Sequence, residues 1–531
     1  MFEKILRSIN PVKAALISGS VVFSCVLIML NNSGLLPLSL GDFFFFSGIV
    51  FLAALYRPGW VFLFFVGLLP FEIVNMAPKE IGMMLRPYQW VGILALAAVM
   101  VRFFSGRLPF SFPKVRRLDW LLLLFWVGSL VAVTGAPNRS VSVKQSIVLF
   151  SFLALYALTR IFIRTVGDAK NVLPVVVGSG AVVSLYAIWQ NVRFSEGANA
   201  FEVMAGRPNS VFTEPDWLGV FLAVCIAVVY AALFMYRKPR SEFMKRHGVL
   251  FILHGFLIGF FVALILSVAR SAWLSTIVMT VLACGFVLVD GSLLAFNRWK
   301  WREAIIYAAG IAVSFAISLS LVFALHLTTF QLFNRAQSTA SGLQKITIAC
   351  EREVSLPEKI GSVDELLQYD CRHIMLEEKQ MVVESGAVVT EIYRNDPNVD
   401  IRKGIYEKTA KVIREHILFG VGFGSSSSFL GQDERGAGLN SSNIFLEVWL
   451  GSGLIGLLAF LYVWLFIGFR AAKHALMQGS KDDVSATYIF IFLSWIGLTV
   501  FNLFNAGIFL GFLWVWLAVA VSFAQKNNYL K

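Results

Sequence analysis

The chain reads as a succession of long apolar runs joined by short polar connections. Runs of membrane-spanning length fall at about 14–30, 42–56, 59–74, 88–104, 119–134, 146–163, 172–190, 217–236, 249–268, 272–289, 304–326, 443–468, 485–503 and 507–524. A bilayer core takes roughly 20 apolar residues as a helix, so each run predicts a membrane helix. Several are short, and the second and third can be taken together as one re-entrant unit, which makes twelve the alternative count. The runs are continuous rather than alternating, which excludes an outer-membrane barrel. The first run follows Lys4, Arg7 and Lys13, and no small-residue cleavage site comes after it. It reads as an uncleaved first helix. One long polar segment, 327–441, breaks the pattern. The expected fold is an all-α polytopic membrane protein with about 12–14 transmembrane helices and one large extracytoplasmic loop. Helices 1–11 occupy 1–326, the loop domain 327–441, and helices 12–14 residues 442–531.

Composition agrees with this pattern. The 531 residues are 58% hydrophobic and 15% charged, with 49 Phe, too little charge for the surface of a soluble protein of this size. The net charge of +13 raises the question of nucleic acid, and its distribution answers it. The long polar segment holds 13 Lys+Arg against 16 Asp+Glu, so the basic excess lies in the short loops. With the N-terminus inside and the helices alternating, the inside loops take most of it, for example Arg102, Arg107, Lys114, Arg116 and Arg117. The short outside loops carry little. This is the orientation signal of a membrane protein in contact with anionic lipid. It puts both termini in the cytoplasm and the long segment outside.

That segment carries the marks of a folded unit. Ser355–Glu358 and Ser362–Glu365 have the spacing of capping boxes that open short helices. Ile401, Ile405, Val412 and Ile413 recur at helical spacing, which predicts an amphipathic helix on the membrane surface or the bundle. Cys25, Cys225 and Cys284 lie inside apolar runs and read as core residues. Cys350 and Cys371 both lie in the polar segment. Outside the membrane they are candidates for a disulfide, although two loop cysteines can also stay apart.

Charged and polar groups at the outer boundary are the candidates for chemistry. Arg207 lies in AGRPNSVFTEPDWLG, Arg270 in the tight turn LSVARSAW, and Arg402 opens the amphipathic helix. A lone arginine there commonly snorkels to lipid phosphate. Arg270 is the hardest to dismiss, since its turn holds no other charge and is bracketed by Ser267 and Ser271. Arginines grouped at one face suit a diphosphate, because the guanidinium fork pairs with phosphate oxygens. Thr213 or Asp216 is a candidate cap for the following helix. Glu214 has less structural reason to be there, and a carboxylate at a partly dry boundary is suited to proton transfer. Gly420–Gly424 (GVGFG) is either a tight turn back to the membrane or a close approach to a ligand. It matches neither a P-loop nor a dinucleotide fingerprint. Asn440–Asn443 either caps the next helix or contributes to a site, and GSGLIGLL after it permits close helix packing. The six histidines do not pair at ligand spacing and no H-E-x-x-H occurs, so no metal is expected.

The order of these motifs resembles the O-antigen ligase/polymerase superfamily, the bacterial Wzy- and WaaL-type (Wzy_C-like) proteins, over about 205–470. RPNSVFTEPDWLGVFLA, LSVARSAWLS, a large loop, then IRKGIYEKTAKVIREHILFGVGFGS and SNIFLEVWLGSGLIGLLAFL stand in the family's order. The resemblance implies a GT-C-like arrangement in the bacterial inner membrane, with the loop periplasmic. It implies transfer or polymerisation of a glycan from an undecaprenyl-diphosphate donor onto a glycan or lipid A–core acceptor, in O-antigen or exopolysaccharide assembly. No cofactor is called for and no nucleic acid is a partner. Arg207 and Arg270 would hold the diphosphate and Glu214 would accept the hydroxyl proton. Arg402, Gly422, Gly424, Ser442 and Asn443 would bind substrate. Where the family commonly has His-Asn, this chain has Ser442-Asn443, so the base falls to Glu214 and then to His416. The rival function is a polysaccharide or lipid-oligosaccharide transporter. One asymmetric loop and charges at the outer boundary, not the midplane, favour transfer.

Overall fold

The computed structural model describes residues 11–108, 110–195, 206–237, 243–290, 299–328, 343–374, 379–384, 386–395, 397–432, 438–477 and 483–525. Helices meet every predicted apolar run. In order they are α1 (Pro11–Asn32), α2 (Leu40–Tyr56), α3 (Pro58–Gly67), α4 (Pro87–Phe104), α5 (Arg117–Ala132), α6 (Arg139–Phe162) and α7 (Val166–Ser195). Then come α8 (Pro215–Tyr236), α9 (Phe243–Ser267), α10 (Arg270–Val289) and α11 (Trp301–Ala324). After the polar segment the bundle closes with α15 (Ile444–Met477), α16 (Asp483–Asn502) and α17 (Gly511–Ala524). Among the described residues, 11 helices are long and apolar enough to cross a membrane. The protein is an all-α polytopic membrane protein.

The three shorter apolar helices are α2, α3 and α17. The run expected at 59–74 is helical only as far as Gly67. At 1.5 Å per residue α3 reaches about 15 Å, half a bilayer core. The chain that follows is buried over 68–72, passes through an exposed stretch at Lys79–Met84 and returns to Pro87, where α4 starts. α2 and α3 are separate helices that meet at Arg57.

Two helices form the centre. α8 is 89% buried over its membrane window, and nearly every residue of α17 is buried. A helix that is apolar on all sides belongs inside a bundle, and a buried 14-residue helix need not match the bilayer thickness. Close packing between α5 and α15 depends on small residues. A Cβ on Gly128 would fall 2.7 Å from the Ser452 carbonyl oxygen and 3.5 Å from Gly456 Cα.

The polar segment contains a sheet that the sequence reading lacks. Its strands are β1 (Leu343–Cys350), β2 (Lys359–Ile360), β3 (Cys371–Ile374) and β4 (Val388–Asn395), in the order β2-β4-β1-β3. β1 is antiparallel to β3 and β4, and β2 is parallel to β4. Ile346, Ile348, Ile360, Leu366 and Ile392 form its small core. Cys350 pairs with Cys371 in the β1–β3 register, and the two form a disulfide with a Cα–Cα distance of 4.1 Å. Between β3 and β4 lies the short helix α12 (Lys379–Glu384). The two expected capping boxes differ in outcome. Ser355–Glu358 opens no helix, because Lys359 and Ile360 are taken into the sheet. Ser362–Glu365 opens a 3-10 helix over Val363–Tyr369, with Glu365 accepting from Gly361 N and Ser362 N.

The predicted amphipathic helix is α13 (Pro397–Glu415). Ile405, Val412 and Ile413 are buried and Ile401 is exposed. Val412 and Ile413 pack on Val421 and on Leu450 of α15, so α13 lies on the bundle. The short helix α14 (Ser426–Leu430) leads back towards α15.

Candidate functional site

Five segments meet at one end of the bundle: 206–214, the α9–α10 turn, the end of α16 with 503–505, the start of α13 and 440–443. Arg207 makes the central connection. Its Nε donates to the Ser267 carbonyl at 3.0 Å, and its Nη2 lies 3.3 Å from Asp216 Oδ1. It thus ties the loop before α8 to the turn before α10. Gly219 lets these two helices approach, since a Cβ there would lie 2.8 Å from those of Ala269 and Ala272. From the first turn of α10, Ser271 Oγ accepts from Asn505 Nδ2 at 3.0 Å. Arg402 stacks its guanidinium 5.5 Å from the centre of the Phe504 ring. Asn443 Nδ2 donates to Leu503 O at 3.2 Å. The 503–505 connection is therefore the hub, and sequence reasoning missed it. Its signal was Asn502 at the end of one apolar run and Asn505 before the next.

The loop 206–214 is held rigidly. Ser210 N donates to Gln190 Oε1 at 2.7 Å, and Val211 O accepts from Glu72 N and Ile73 N. Val211 and Phe212 are buried. Glu214 is the N-cap residue of α8 by its backbone, with Pro215 next. Its side chain does not cap, and it is half-buried. Neither Thr213 nor Asp216 is the cap. Asp216 sits in the first turn and takes the ion pair with Arg207.

Three residues other than glycine hold left-handed backbone in these loops: Ser210 (φ 53°), Val268 (φ 51°) and Ser442 (φ 50°). For a β-branched residue such as Val268 this conformation is a marked outlier. Strain of about 1–3 kcal/mol at each such residue persists only where surroundings impose it, and it clusters at functional sites. Each of these residues lies in one of the motif loops.

The glycine-rich stretch has another task. α15 is interrupted at Gly453 (φ 69°, ψ −176°), which leaves polar backbone exposed inside the bundle. Residues 417–422 satisfy it. Val421 N and Gly422 N donate to Leu450 O, and Leu454 N donates to Leu418 O. Broken helices are tolerated in a bilayer where protein supplies the missing partners. The space beside Gly422 is filled by Ser142 of α6, and that beside Gly424 by Val141 and Gln145. Their close approach is to the protein's own helices and not to an open cavity.

Asn443 Oδ1 accepts from Phe445 N and Leu446 N, an N-cap for α15. Ser442 is half-buried, with its N–H donating to Asn440 Oδ1. Behind it lies Glu447, 6% exposed. Its carboxylate accepts from Ser426 Oγ at 2.8 Å, Ser441 N at 3.0 Å and Ser441 Oγ at 2.8 Å. It locks the 440–443 corner to α14. His416 follows the last residue of α13, with its ring 6.4 Å from that of Phe429. Among the described residues no group of His, Cys, Asp and Glu is placed to hold a metal ion.

The starts of α8, α10 and the first half of α15 face this corner. Helix N-termini carry positive partial charge and orphan N–H groups, which favour an anion. Arg207, Arg270 and Arg402 thus stand with the starts of α8, α10 and α15 at one end of a polytopic helical membrane protein, a setting that favours an anion. Residues 254–461 match the family model described as O-antigen ligase (Wzy_C). This match supports the resemblance to the O-antigen ligase/polymerase superfamily and, in general terms, glycan transfer of that type. It takes in Arg270, Arg402, Gly422, Gly424, Ser442, Asn443 and Glu447. Arg207 and Glu214 lie before it, and the Arg207–Ser267 hydrogen bond joins them to it. No curated protein matches the chain.

Proposed function

We propose that the protein is a metal-independent membrane glycosyltransferase of the O-antigen polymerase or ligase type. It moves a glycan from an undecaprenyl-diphosphate donor onto a glycan or lipid A–core acceptor. The reaction takes place at the outer face of the inner membrane, with the loop periplasmic and both termini cytoplasmic. The observation that carries this reading is the Arg207–Ser267 contact, which brings Arg207 to the turn that holds Arg270. Two guanidinium groups at one corner offer forked donors to the oxygens of a diphosphate.

In the reaction an acceptor hydroxyl oxygen attacks the anomeric carbon, and the bond from that carbon to the diphosphate oxygen breaks. The polyprenyl diphosphate leaves with the electron pair. Arg207 and Arg270 neutralise the charge that grows on it, and the helix N-termini add to that field. Asp216 orients Arg207 through their ion pair. Glu214 takes the hydroxyl proton, the role for which Ser442 has no sufficient basicity. Arg402, fixed over Phe504, and the Ser442–Asn443 corner contact the sugar.

The test is Arg207→Ala, Arg270→Ala and Glu214→Ala in the native host, followed by glycan gels. Loss of polymer or of its attachment is the expected result. Single-repeat glycan would mark a polymerase, and long lipid-linked polymer that never reaches its acceptor would mark a ligase. Normal glycans in all three variants would overturn the assignment.

A further inference from the structure

Residues 417–419 leave α13 and turn back towards α15 as Ile-Leu-Phe. All three are exposed, Leu418 at 58% and Phe419 at 59%. They belong to the polar segment expected outside the bilayer, yet the chain carries no charge from Ile417 to Gly431. The sheet earlier in the same segment has the opposite character. Its surface holds ion pairs between Lys345 and Glu391 and between Arg352 and Asp370.

The depth of this tip follows from its partners. Leu418 O accepts from Leu454 N at 3.1 Å, next to the break at Gly453. Gly128 of α5 lies against Ser452, so the break is level with Gly128. The membrane span of α5 ends at Gly135. At 1.5 Å per residue, Leu418 therefore sits about 10 Å inside the end of that span. Around this level α5 exposes Val127, Leu130 and Val131, and α15 exposes Ile455 and Leu458. The tip extends this apolar belt. Hydrocarbon admits irregular backbone only where protein satisfies its polar groups, and the tip meets that demand. Ile417 O accepts from Trp449 Nε1 at 3.0 Å, Leu418 O from Leu454 N, and His416 O from Gly420 N at 2.9 Å.

We propose that Ile417–Phe419 is a re-entrant tip seated in the lipid hydrocarbon, so that the bilayer itself holds the end of the helix whose first half carries Arg402. The partner is the acyl region of bulk phospholipid, and the proposal stands whether or not the protein transfers glycans. The test uses the full-length protein in phospholipid nanodiscs, with the free cysteines replaced and one nitroxide-labelled cysteine at a time. The sites are Phe419→Cys, Ile417→Cys, Leu458→Cys on the outer surface of α15, and Leu367→Cys, exposed in the loop domain. Two adjacent tip sites keep the reading independent of a variant that fails to fold. Collision with oxygen, which concentrates in hydrocarbon, is compared with collision with a neutral nickel chelate, which stays in water. Hydrocarbon excludes such a polar complex by more than about tenfold. The oxygen-to-nickel ratio at Phe419 and Ile417 is expected to match that at Leu458 and to exceed that at Leu367 by about tenfold or more. A ratio equal to that at Leu367 would put the tip in water and overturn the proposal. Shielding from both reagents would mean that a second copy of the chain covers the tip, and would overturn it as well.

Discussion

Glu447 shows what a single residue contributes at this corner. The sequence marks it only as an acid in the first turn of an apolar helix. In the structure its carboxylate receives both Ser426 and Ser441. Glu447→Ala leaves those donors unsatisfied and should cost about 1–3 kcal/mol, read as a lower melting temperature in detergent. Glu447→Gln keeps one acceptor oxygen and should recover part of the loss. An unchanged melting temperature in the alanine variant would contradict this role. The arginines were more legible. Arg207, Arg270 and Arg402 stood out because charge is scarce at a membrane boundary, and the structure sets all three at the loops of one corner. Asp216 was not legible as the partner of Arg207, since a carboxylate at a helix start is equally well explained as a cap. Pairing across nine residues of loop depends on the backbone path.

Among elements, the broken helix α15 changes the meaning of a motif. Gly420–Gly424 looked like a turn or a ligand cradle, and it is the segment that completes the backbone of α15. The break could not be read from GSGLIGLL, because glycine in an apolar run more often permits packing than interrupts a helix. Gly453→Ala tests it. The left-handed backbone costs any other residue about 1–3 kcal/mol, and a Cβ there would lie 2.2 Å from Leu418 O. A large drop in folded yield and melting temperature is expected, while wild-type stability would show that the break is dispensable. The loop sheet was missed for a different reason. Ile346, Ile348 and Cys350 do alternate with Lys345, Thr347 and Ala349, but β1 is one short strand whose partners lie up to some fifty residues away in a charged segment. Capping-box spacing drew attention to helices instead, and at Ser355–Glu358 it misled.

At the scale of the molecule, the two ends of the bundle differ in chemistry. The end away from the corner is closed by ion pairs: Arg160 with Asp119, and Arg237 with Asp290 and Glu303, where Lys300 also joins. The corner end has ion pairs too, Arg207 with Asp216 and Arg86 with Glu72, and adds strained loops, asparagines and helix starts. Basic residues concentrated in alternate loops lead us to expect the ion-paired end on the cytoplasmic side. With the free cysteines replaced, Lys79→Cys should react with a membrane-impermeant thiol reagent in intact spheroplasts, and Arg107→Cys only after permeabilisation. The reverse pattern would invert the topology and put the arginine corner on the cytoplasmic side.

The central claim is that the Arg207–Arg270 corner stabilises a departing lipid diphosphate, and a reconstituted transfer assay tests it most directly. Purified protein in liposomes would receive the host's own undecaprenyl-diphosphate glycan and its acceptor, and initial rates would be followed at saturating donor. Loss of one preorganised charge in a transition state typically costs about 10²–10³ in rate. Arg270→Ala is expected to lower kcat by about that factor, with Arg270→Lys in between. A kcat for Arg270→Ala within about twofold of the wild type, well short of what loss of such a charge costs, would contradict the account.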